Sequence, residues 1–404
     1  MLIPNLNHYI TENGINLWVR HAPSSNVDYL YVNIRVGGLI KGVMSDYGNI
    51  NHYPPGIAHL VEHVVLDATN IERYSYHDRT LNGYTHLLNT SYSAISIRPS
   101  LEAWKSFIRC IFSPDISTSS VERQVEIASR EVESYQRTLD FNILKTAVKH
   151  LYPNDWPYIL ITGDSQLISQ DYNVSNIMSI IGNYYNPNVS TFVISSSVNA
   201  NYLVDLIDEL TCEYQRDNSV TSIVQLESPA HKRSIIRTDL YYSKTTFLLL
   251  STLGDSKVKL TAQVNCQVIL EMLFGYQNLI EQGQDHFTEI KAVTRSDFTN
   301  QLWMISIKLD QKINVDWLVE RLCYVLTQIV RNDFGVSGLE FAKQTVLSQY
   351  LLSLNSIDRL NSALLMFESE GVGVEEYIKL VRDVKMCDIR SCANNMLKWS
   401  MVAI

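Results

Sequence analysis

Five consecutive residues, His59-Leu60-Val61-Glu62-His63, have types and a spacing that suit metal chemistry. On an α-helix, positions i, i+3 and i+4 share one face, so both imidazoles can reach a single ion one turn apart. Zinc binds imidazole nitrogen, and catalytic zinc sites typically have three protein ligands. The Glu62 carboxylate lies on the same face and could take a proton from water as a general base. The segment is the inverted form of the common zinc metalloprotease motif.

A third ligand could come from a later segment that is rich in glutamate. Glu122, Glu126, Glu131 and Glu133 all lie within twelve residues of a predicted helix. Glu126 and Glu133 are seven residues apart, which is two turns, so they share a face. This spacing favours Glu133 as a ligand, with an ordinary solvated helix face as the alternative. We predict that Glu122 and Glu131 belong to the solvated face.

The elements that must position these residues follow from hydrophobic periodicity. The segment 57–68 is nearly apolar and predicts a buried helix, and Ser117–Ser120 offer cap residues for a long polar helix. The other elements predicted in this half are strands at 29–35, 92–98 and 190–197 and helices at 101–112, 121–138 and 200–213.

The second half of the chain repeats this order of elements, without a residue-level repeat. A length of 404 residues suits two domains of roughly 200 residues each. Residues 216–232 are polar and aperiodic, which predicts a linker between domains 1–215 and 233–404. We therefore predict an α+β fold of two sequential domains of similar design, with helices covering the sheets. The elements predicted after the linker are strands at 245–251 and 301–309 and helices at 260–274, 315–331, 339–367, 375–381 and 387–399.

Composition narrows the class of protein. The net charge of −9 argues against a nucleic-acid partner. No apolar run reaches the roughly 18 residues of a membrane span, and residues 1–14 lack the apolar core of a secretory signal. The six cysteines are scattered, with no Cys-x-x-Cys pair, and this is typical of reduced thiols. We therefore expect a cytoplasmic protein.

Three segments together carry a resemblance to a known family. Gly56-Ile57-Ala58 leads into the histidine motif, and Asn82-Gly83-Tyr84-Thr85 is similar to an Asn-Ala-Tyr-Thr strand. The segment 126–133 is similar to a helix with two glutamates. These features resemble the pitrilysin and insulin-degrading enzyme family, in its half-length type of about 400 residues, which includes mitochondrial processing peptidase. The resemblance extends along nearly the whole chain, although the second half matches only in pattern.

The resemblance implies a zinc-dependent endopeptidase with one Zn²⁺ per chain. It implies His59, His63 and Glu133 as metal ligands, choosing Glu133 over Glu131, with Glu62 as catalytic base and Glu126 as a supporting catalytic residue. It further implies mainly antiparallel sheets, a chain that forms half of a closed chamber, and a substrate held as an extra strand at a sheet edge. The substrate-binding residues implied in this way are Asn82, Gly83 and Thr85. By residue type alone, Asn82-Gly83 is typical of a hairpin turn.

One departure from the family concerns the second half. Active members usually carry an Arg followed seven residues later by a Tyr, and these groups bind substrate and stabilise the oxyanion. The corresponding segment 273–293 contains no Arg. We predict that a second related subunit supplies the pair, in a heterodimer in which this chain holds the zinc. The alternative is a homodimer that uses other groups, such as His286 or Tyr276.

Three functions fit these observations. The first is cleavage of a short or unfolded peptide, such as the leader peptide of a ribosomally made peptide natural product. The second is a degradative oligopeptidase of broad specificity. The third is a non-catalytic structural or partner subunit of the same fold; such subunits usually lose part of the zinc motif, whereas this chain keeps the residues of the motif.

Overall fold

The chain folds as two compact units, Met1–Ser228 and Pro229–Ile404. The division falls inside the segment predicted as a linker. The computed structural model describes residues 5–44, 50–69, 79–97, 101–163, 172, 174–214, 221–223, 235–237, 245–251, 259–275, 290–296, 303–309, 315–331, 336–370, 374–397 and 400–403.

The first unit is built on a six-stranded sheet. Its strands are β1 (Leu6–Ile10), β2 (Asn16–His21), β3 (Asp28–Ile34), β6 (Arg79–Thr85), β7 (Thr90–Ser96) and β8 (Thr191–Ser196). Their order is β1-β2-β8-β3-β7-β6, and every pairing is antiparallel except that of β2 with β8. A smaller sheet joins β4 (Gly42–Met44) to β5 (Ile50–His52) and β9 (Thr221–Ile223). Strand β9 lies within 216–232, the segment predicted as the linker.

Seven α-helices accompany these sheets in the described part of the first unit. They are α1 (Ile57–Thr69), α2 (Leu101–Phe112), α3 (Thr118–Gln136), α4 (Leu139–Leu151), α5 (Trp156–Ile159), α6 (Val174–Tyr184) and α7 (Ala200–Thr211). Helix α3 starts earlier than its periodicity predicts. The Ser117 hydroxyl caps it by accepting a hydrogen bond from the backbone N–H of Ser120 at 3.1 Å.

Helix α1 is the central helix of this unit, which explains its apolar sequence. It contacts α2, α3, α6, β6 and β7. Its apolar side chains Leu60, Val61 and Val64 are buried in the core cluster of the unit. Gly56, just before the helix, has a φ of +86°, and a Cβ there would lie 2.7 Å from the Thr162 carbonyl oxygen. Glycine is therefore needed for the chain to turn into α1 against that loop.

The second unit repeats the strand order of the first. Its strands are β10 (Ile235–Arg237), β11 (Thr245–Ser251), β12 (Ile290–Ser296), β13 (Trp303–Leu309) and β14 (Ser400–Ala403), in the order β10-β14-β11-β13-β12. Only β10 and β14 are parallel, so this sheet matches β2-β8-β3-β7-β6 strand for strand. The predicted α+β fold with mainly antiparallel sheets is confirmed.

The helices of the second unit are α8 (Lys259–Phe274), α9 (Val315–Arg331), α10 (Val336–Ser353), α11 (Ile357–Glu370), α12 (Val374–Asp383) and α13 (Met386–Met396). The long helical region predicted over 339–367 consists of two helices, because the chain turns at 354–356 between α10 and α11. The Ser356 carbonyl accepts the Leu360 N–H and so begins the second helix. Within the described residues, no helix is both long and apolar enough to cross a membrane.

Candidate active site

Helices α1 and α3 bring two imidazoles and one carboxylate together. His59 Nε2 lies 3.3 Å from His63 Nε2, as expected for residues one helical turn apart. An oxygen of Glu131, Oε2, lies 3.2 Å from His63 Nε2 and 3.9 Å from His59 Nε2. Within the described residues, this is the one group of three or more histidine, cysteine or acidic side chains close enough to hold a metal ion.

The separations between these three atoms fit a zinc ion. At a bond length of about 2.0–2.1 Å, two ligands of a tetrahedral zinc are about 3.3 Å apart. The observed separations of 3.2, 3.3 and 3.9 Å are close to this value. Two imidazole nitrogens and one carboxylate oxygen also form the ligand set of known catalytic zinc sites. The residues present therefore fit the metal.

The prediction of Glu133 as third ligand is corrected to Glu131. Residues on a helix are about 100° apart, so Glu133 lies about 200° around α3 from Glu131. The inward face of α3 is marked by the buried residues Val121, Ala128 and Val132. Glu131 borders this face, whereas Glu133 is exposed on the other side of the helix.

The predicted supporting residue also changes, from Glu126 to Gln124. Glu126 is exposed and forms an ion pair with Arg130 one turn later, away from the cluster. Gln124 is seven residues before Glu131 and shares its face; it is only 6% exposed and lies within hydrogen-bonding reach of His63. The spacing of seven residues was predicted correctly, but for the pair Glu126 and Glu133. The pair that has this spacing and faces the cluster is Gln124 and Glu131, which contains only one glutamate.

Glu62 is buried beside the cluster and is held by β6. Only 6% of Glu62 is exposed, and its Oε2 accepts a hydrogen bond of 2.6 Å from the Thr85 hydroxyl. A Cβ on Gly83 would lie 2.8 Å from both Cγ and Oε1 of Glu62. Thr85 therefore positions the carboxylate, and Gly83 leaves room for it. The Thr85 hydroxyl is thus engaged with Glu62, and the predicted role of Thr85 and Gly83 in substrate binding stays a prediction.

Strand β6 lies at the edge of its sheet, next to the cluster. Among the strands that the structure describes, β7 is its only partner. Leu81, Gly83 and Thr85 alternate with the exposed residues Asn82 and Tyr84, so one face of the strand packs on α1 and the other meets solvent. Asn82 is thus accessible at this edge, and its role in substrate binding stays a prediction.

Burial and charge shift the pKa values of the titratable groups of the cluster in opposite directions. Burial, helped by His63, lowers the pKa of His59 to about 4. Burial alone would lower the pKa of His63, but the hydrogen bond to Glu131 and the charge of Glu62 outweigh it and raise that pKa. The hydrogen bond to His63 lowers the pKa of Glu131, and burial raises the pKa of Glu62. Opposed shifts at neighbouring groups in one pocket are typical of functional sites.

The alternative groups named for the second half, His286 and Tyr276, lie outside the described residues, as does most of the segment 273–293.

The chain resembles known proteins both in sequence and in structure. No protein-family model matches the chain. The zinc protease YmfH of Bacillus subtilis is 20% identical over 96% of this chain and 92% of that protein. An M16-like peptidase from Alicyclobacillus acidocaldarius has a similar structure, with a TM-score of 0.84 at 16% identity over 98% of this chain and 97% of that one. The chain has the fold of the pitrilysin (M16) family, in its half-length form. The resemblance predicted from sequence is confirmed.

Two further structures resemble the chain but differ in length from each other. The inactive domain of an M16 peptidase from Pseudomonas fluorescens has a TM-score of 0.70 at 12% identity, over 99% of this chain and 97% of that one. The periplasmic protease PqqL of Escherichia coli has a TM-score of 0.75 at 14% identity, over 99% of this chain but 47% of its own. The fold therefore occurs both as a single half-length chain and as part of a chain about twice as long.

Proposed function

We propose that the protein is a zinc-dependent endopeptidase that cleaves short or unfolded peptides. The observation that carries this proposal is the convergence of His59, His63 and Glu131 beside a buried Glu62. The name of the Bacillus subtilis relative, a zinc protease, supports the same reaction and the same metal. Zinc held by the three ligands would supply Lewis-acid chemistry to the reaction.

The residues around the metal site have separate roles in proton transfer and in positioning. Glu62 accepts the proton that water loses on adding to the peptide carbonyl, then donates it to the departing nitrogen as the C–N bond breaks. Thr85 holds the Glu62 carboxylate in place by a hydrogen bond, and Gly83 leaves room for it. Gln124 orients His63, so it is a positioning residue.

The substrate would bind as an extended strand at the free edge of β6. Main-chain hydrogen bonds to an edge strand give affinity with little dependence on side chains. Asn82 is exposed on this strand, two residues before Tyr84, and could hold the peptide backbone. This mode suits an unfolded segment such as a leader peptide, which we propose as the substrate, with broad degradation of oligopeptides as the alternative.

We propose that a second, related subunit completes the enzyme. The chain matches about half of PqqL, so that protease has room for a second unit of similar length in one chain. In this protein, a separate subunit would take the place of that second unit. It could supply the pair of Arg and Tyr, whose Arg is missing from the segment 273–293. A homodimer is the alternative, and a cytoplasmic location remains part of the proposal.

The likeness to an inactive M16 domain favours a non-catalytic subunit as the second candidate function. Glu62→Gln separates the two. An enzyme should bind one zinc per chain before and after this change and lose turnover of unstructured peptides by at least about 10²-fold. The control is Glu122→Gln on the exposed side of α3, which should leave zinc and turnover unchanged. Bound zinc without turnover in the wild type, alone or with the related subunit, would support the non-catalytic function.

The subunit question needs a separate experiment on the wild-type chain. We expect turnover of a panel of unstructured peptides to appear only after the second related chain is added. Full turnover by this chain alone, at a concentration at which it is monomeric or a homodimer, would contradict the heterodimer.

A further inference from the structure

The proposed reaction needs a hydrogen-bond donor that the sequence does not show. The carbonyl oxygen of a peptide gains negative charge when water adds, and a donor aimed at that oxygen typically changes kcat by 10²–10³-fold. No Arg occurs in the segment 273–293, where the resemblance would place one. A donor close to the cluster on this chain is therefore of interest.

Tyr135 on α3 is placed to be such a donor. It follows Glu131 by four residues, so the two side chains lie on the same face one turn apart. Side chains on a helix lean towards its N-terminus, which directs the Tyr135 ring back over Glu131. The residue is 47% exposed, so a bound peptide can reach it.

Tyr135 is also close enough to the two carboxylates of the site to interact with them electrostatically. It interacts with the carboxylates of Glu131 on α3 and Glu62 on α1 and with the hydroxyl of Tyr84 on β6. Tyr135 on α3 therefore lies near Glu62 of α1 as well as near Glu131 of its own helix. Partial burial and the nearby carboxylates raise the pKa of Tyr135, whose ordinary value is about 10, so its hydroxyl keeps its proton at neutral pH.

Tyr84 is the competing candidate, since it is 59% exposed on the edge strand. Its ring contacts the His86 ring, with the centroids 4.4 Å apart. Tyr84 lies on the face of β6 that points away from Glu62, because Gly83 and Thr85 occupy the face towards it. This favours Tyr135 as the donor to a reacting carbonyl and leaves Tyr84 to contact substrate side chains.

We propose that Tyr135 is a catalytic residue whose hydroxyl donates a hydrogen bond to the carbonyl oxygen of the bond being cleaved. The inference rests on the proposed peptidase function. Water adds to the carbonyl carbon and gives its proton to Glu62, the C–N bond breaks, and that proton goes to the departing nitrogen. Tyr135 keeps its own proton throughout and only stabilises the charge on oxygen.

The test compares the wild type with Tyr135→Phe, in the presence of the second subunit if that is required for turnover. We expect kcat to fall about 10²-fold with little change in KM and an unchanged zinc content, because the donor acts mainly in the transition state. The matched control is Tyr202→Phe, which removes the hydroxyl of a similarly exposed tyrosine on α7.

A second readout does not depend on turnover. A phosphinic peptide imitates the tetrahedral carbon, so its affinity for the zinc-loaded protein, measured by calorimetry, should fall by a similar factor in Tyr135→Phe but not in Tyr202→Phe. Equal affinity in wild type and Tyr135→Phe, or an unchanged kcat, would overturn the role of Tyr135 while leaving the peptidase intact. A wild type that binds neither zinc nor the phosphinic peptide would overturn both proposals.

Discussion

Replacing Glu131 and Glu133 by glutamine, one at a time, tests which residue completes the metal site. The two residues are separated by one position and have the same side chain, so the variants are chemically matched. Glu131 Oε2 lies 3.2 Å from His63 Nε2, whereas Glu133 is exposed on the other side of α3. We expect Glu131→Gln to weaken zinc binding strongly and Glu133→Gln to leave it unchanged.

The magnitude follows from the share of one ligand in the binding free energy. Structural zinc sites with four protein ligands have apparent binding free energies of about 10–16 kcal/mol at pH 7, or about 2.5–4 kcal/mol for each ligand. Each 1.4 kcal/mol is a factor of about ten. Removal of Glu131 should therefore weaken zinc affinity by roughly 10²–10³-fold.

The assay is a zinc competition between the protein and a chromophoric chelator, with circular dichroism to show that each variant is folded. Glu131→Gln is expected to fold, since Glu131 is partly exposed and is not part of the apolar core. Strong loss of zinc in Glu133→Gln with normal affinity in Glu131→Gln would refute the placement of α3.

The metal-free protein offers a pH readout of the same contact. The hydrogen bond to Glu131 helps to raise the pKa of His63, so Glu131→Gln should lower that pKa in an NMR titration. A raised pKa in the folded state adds stability below the unfolded pKa and loses it as pH rises through the folded value. The variant should thus be least stable relative to wild type between about pH 4.5 and 6.5, where Glu131 is ionised and His63 is protonated. A constant difference across pH 5–9 would contradict this origin of the shift.

Two further predictions concern the room around Glu62 and a buried ion pair of the first unit. Gly83→Ala places a Cβ 2.8 Å from the Glu62 carboxylate, so turnover should fall about tenfold with zinc retained. The control is Gly182→Ala, where the added Cβ would have no neighbouring atom within 4 Å. This control should stabilise α6 by about 0.5–1 kcal/mol in urea unfolding. Normal turnover in Gly83→Ala would show that the carboxylate can move without penalty. Lys41→Met leaves Asp155 buried without its 2.6 Å ion pair and should cost about 3–5 kcal/mol of stability, much of it recovered in a double variant with Asp155→Leu; additive losses would rule out this pairing.

The sequence by itself determined the part of the site that lies on one helix. His59, Glu62 and His63 are three and four residues apart, and helical geometry alone places them on one face. The apolar residues between them also predicted that α1 is buried, which the structure bears out. Local spacing was enough here, because the relevant distances lie within a single turn.

The third ligand depended on how α3 faces α1, which local spacing does not specify. Two pairs of residues on α3 are seven apart, 124 with 131 and 126 with 133, and both satisfy the two-turn rule. A helical wheel centred on Val121, Ala128 and Val132 would have favoured Glu131, since those residues mark the face that packs in the core. Gln124 was not predicted as the supporting residue, because a charged glutamate was expected at that position.

Tertiary structure alone decided the roles of β6. In sequence, Asn82-Gly83 is typical of a hairpin turn, yet here it lies within an edge strand that pairs with β7. Only the packing of β6 on α1 shows that Gly83 makes room for Glu62 and that the Thr85 hydroxyl is bound to it. These contacts join residues more than twenty positions apart. Their geometry is set by the sheet and its covering helix together, so no local pattern in the sequence could specify it.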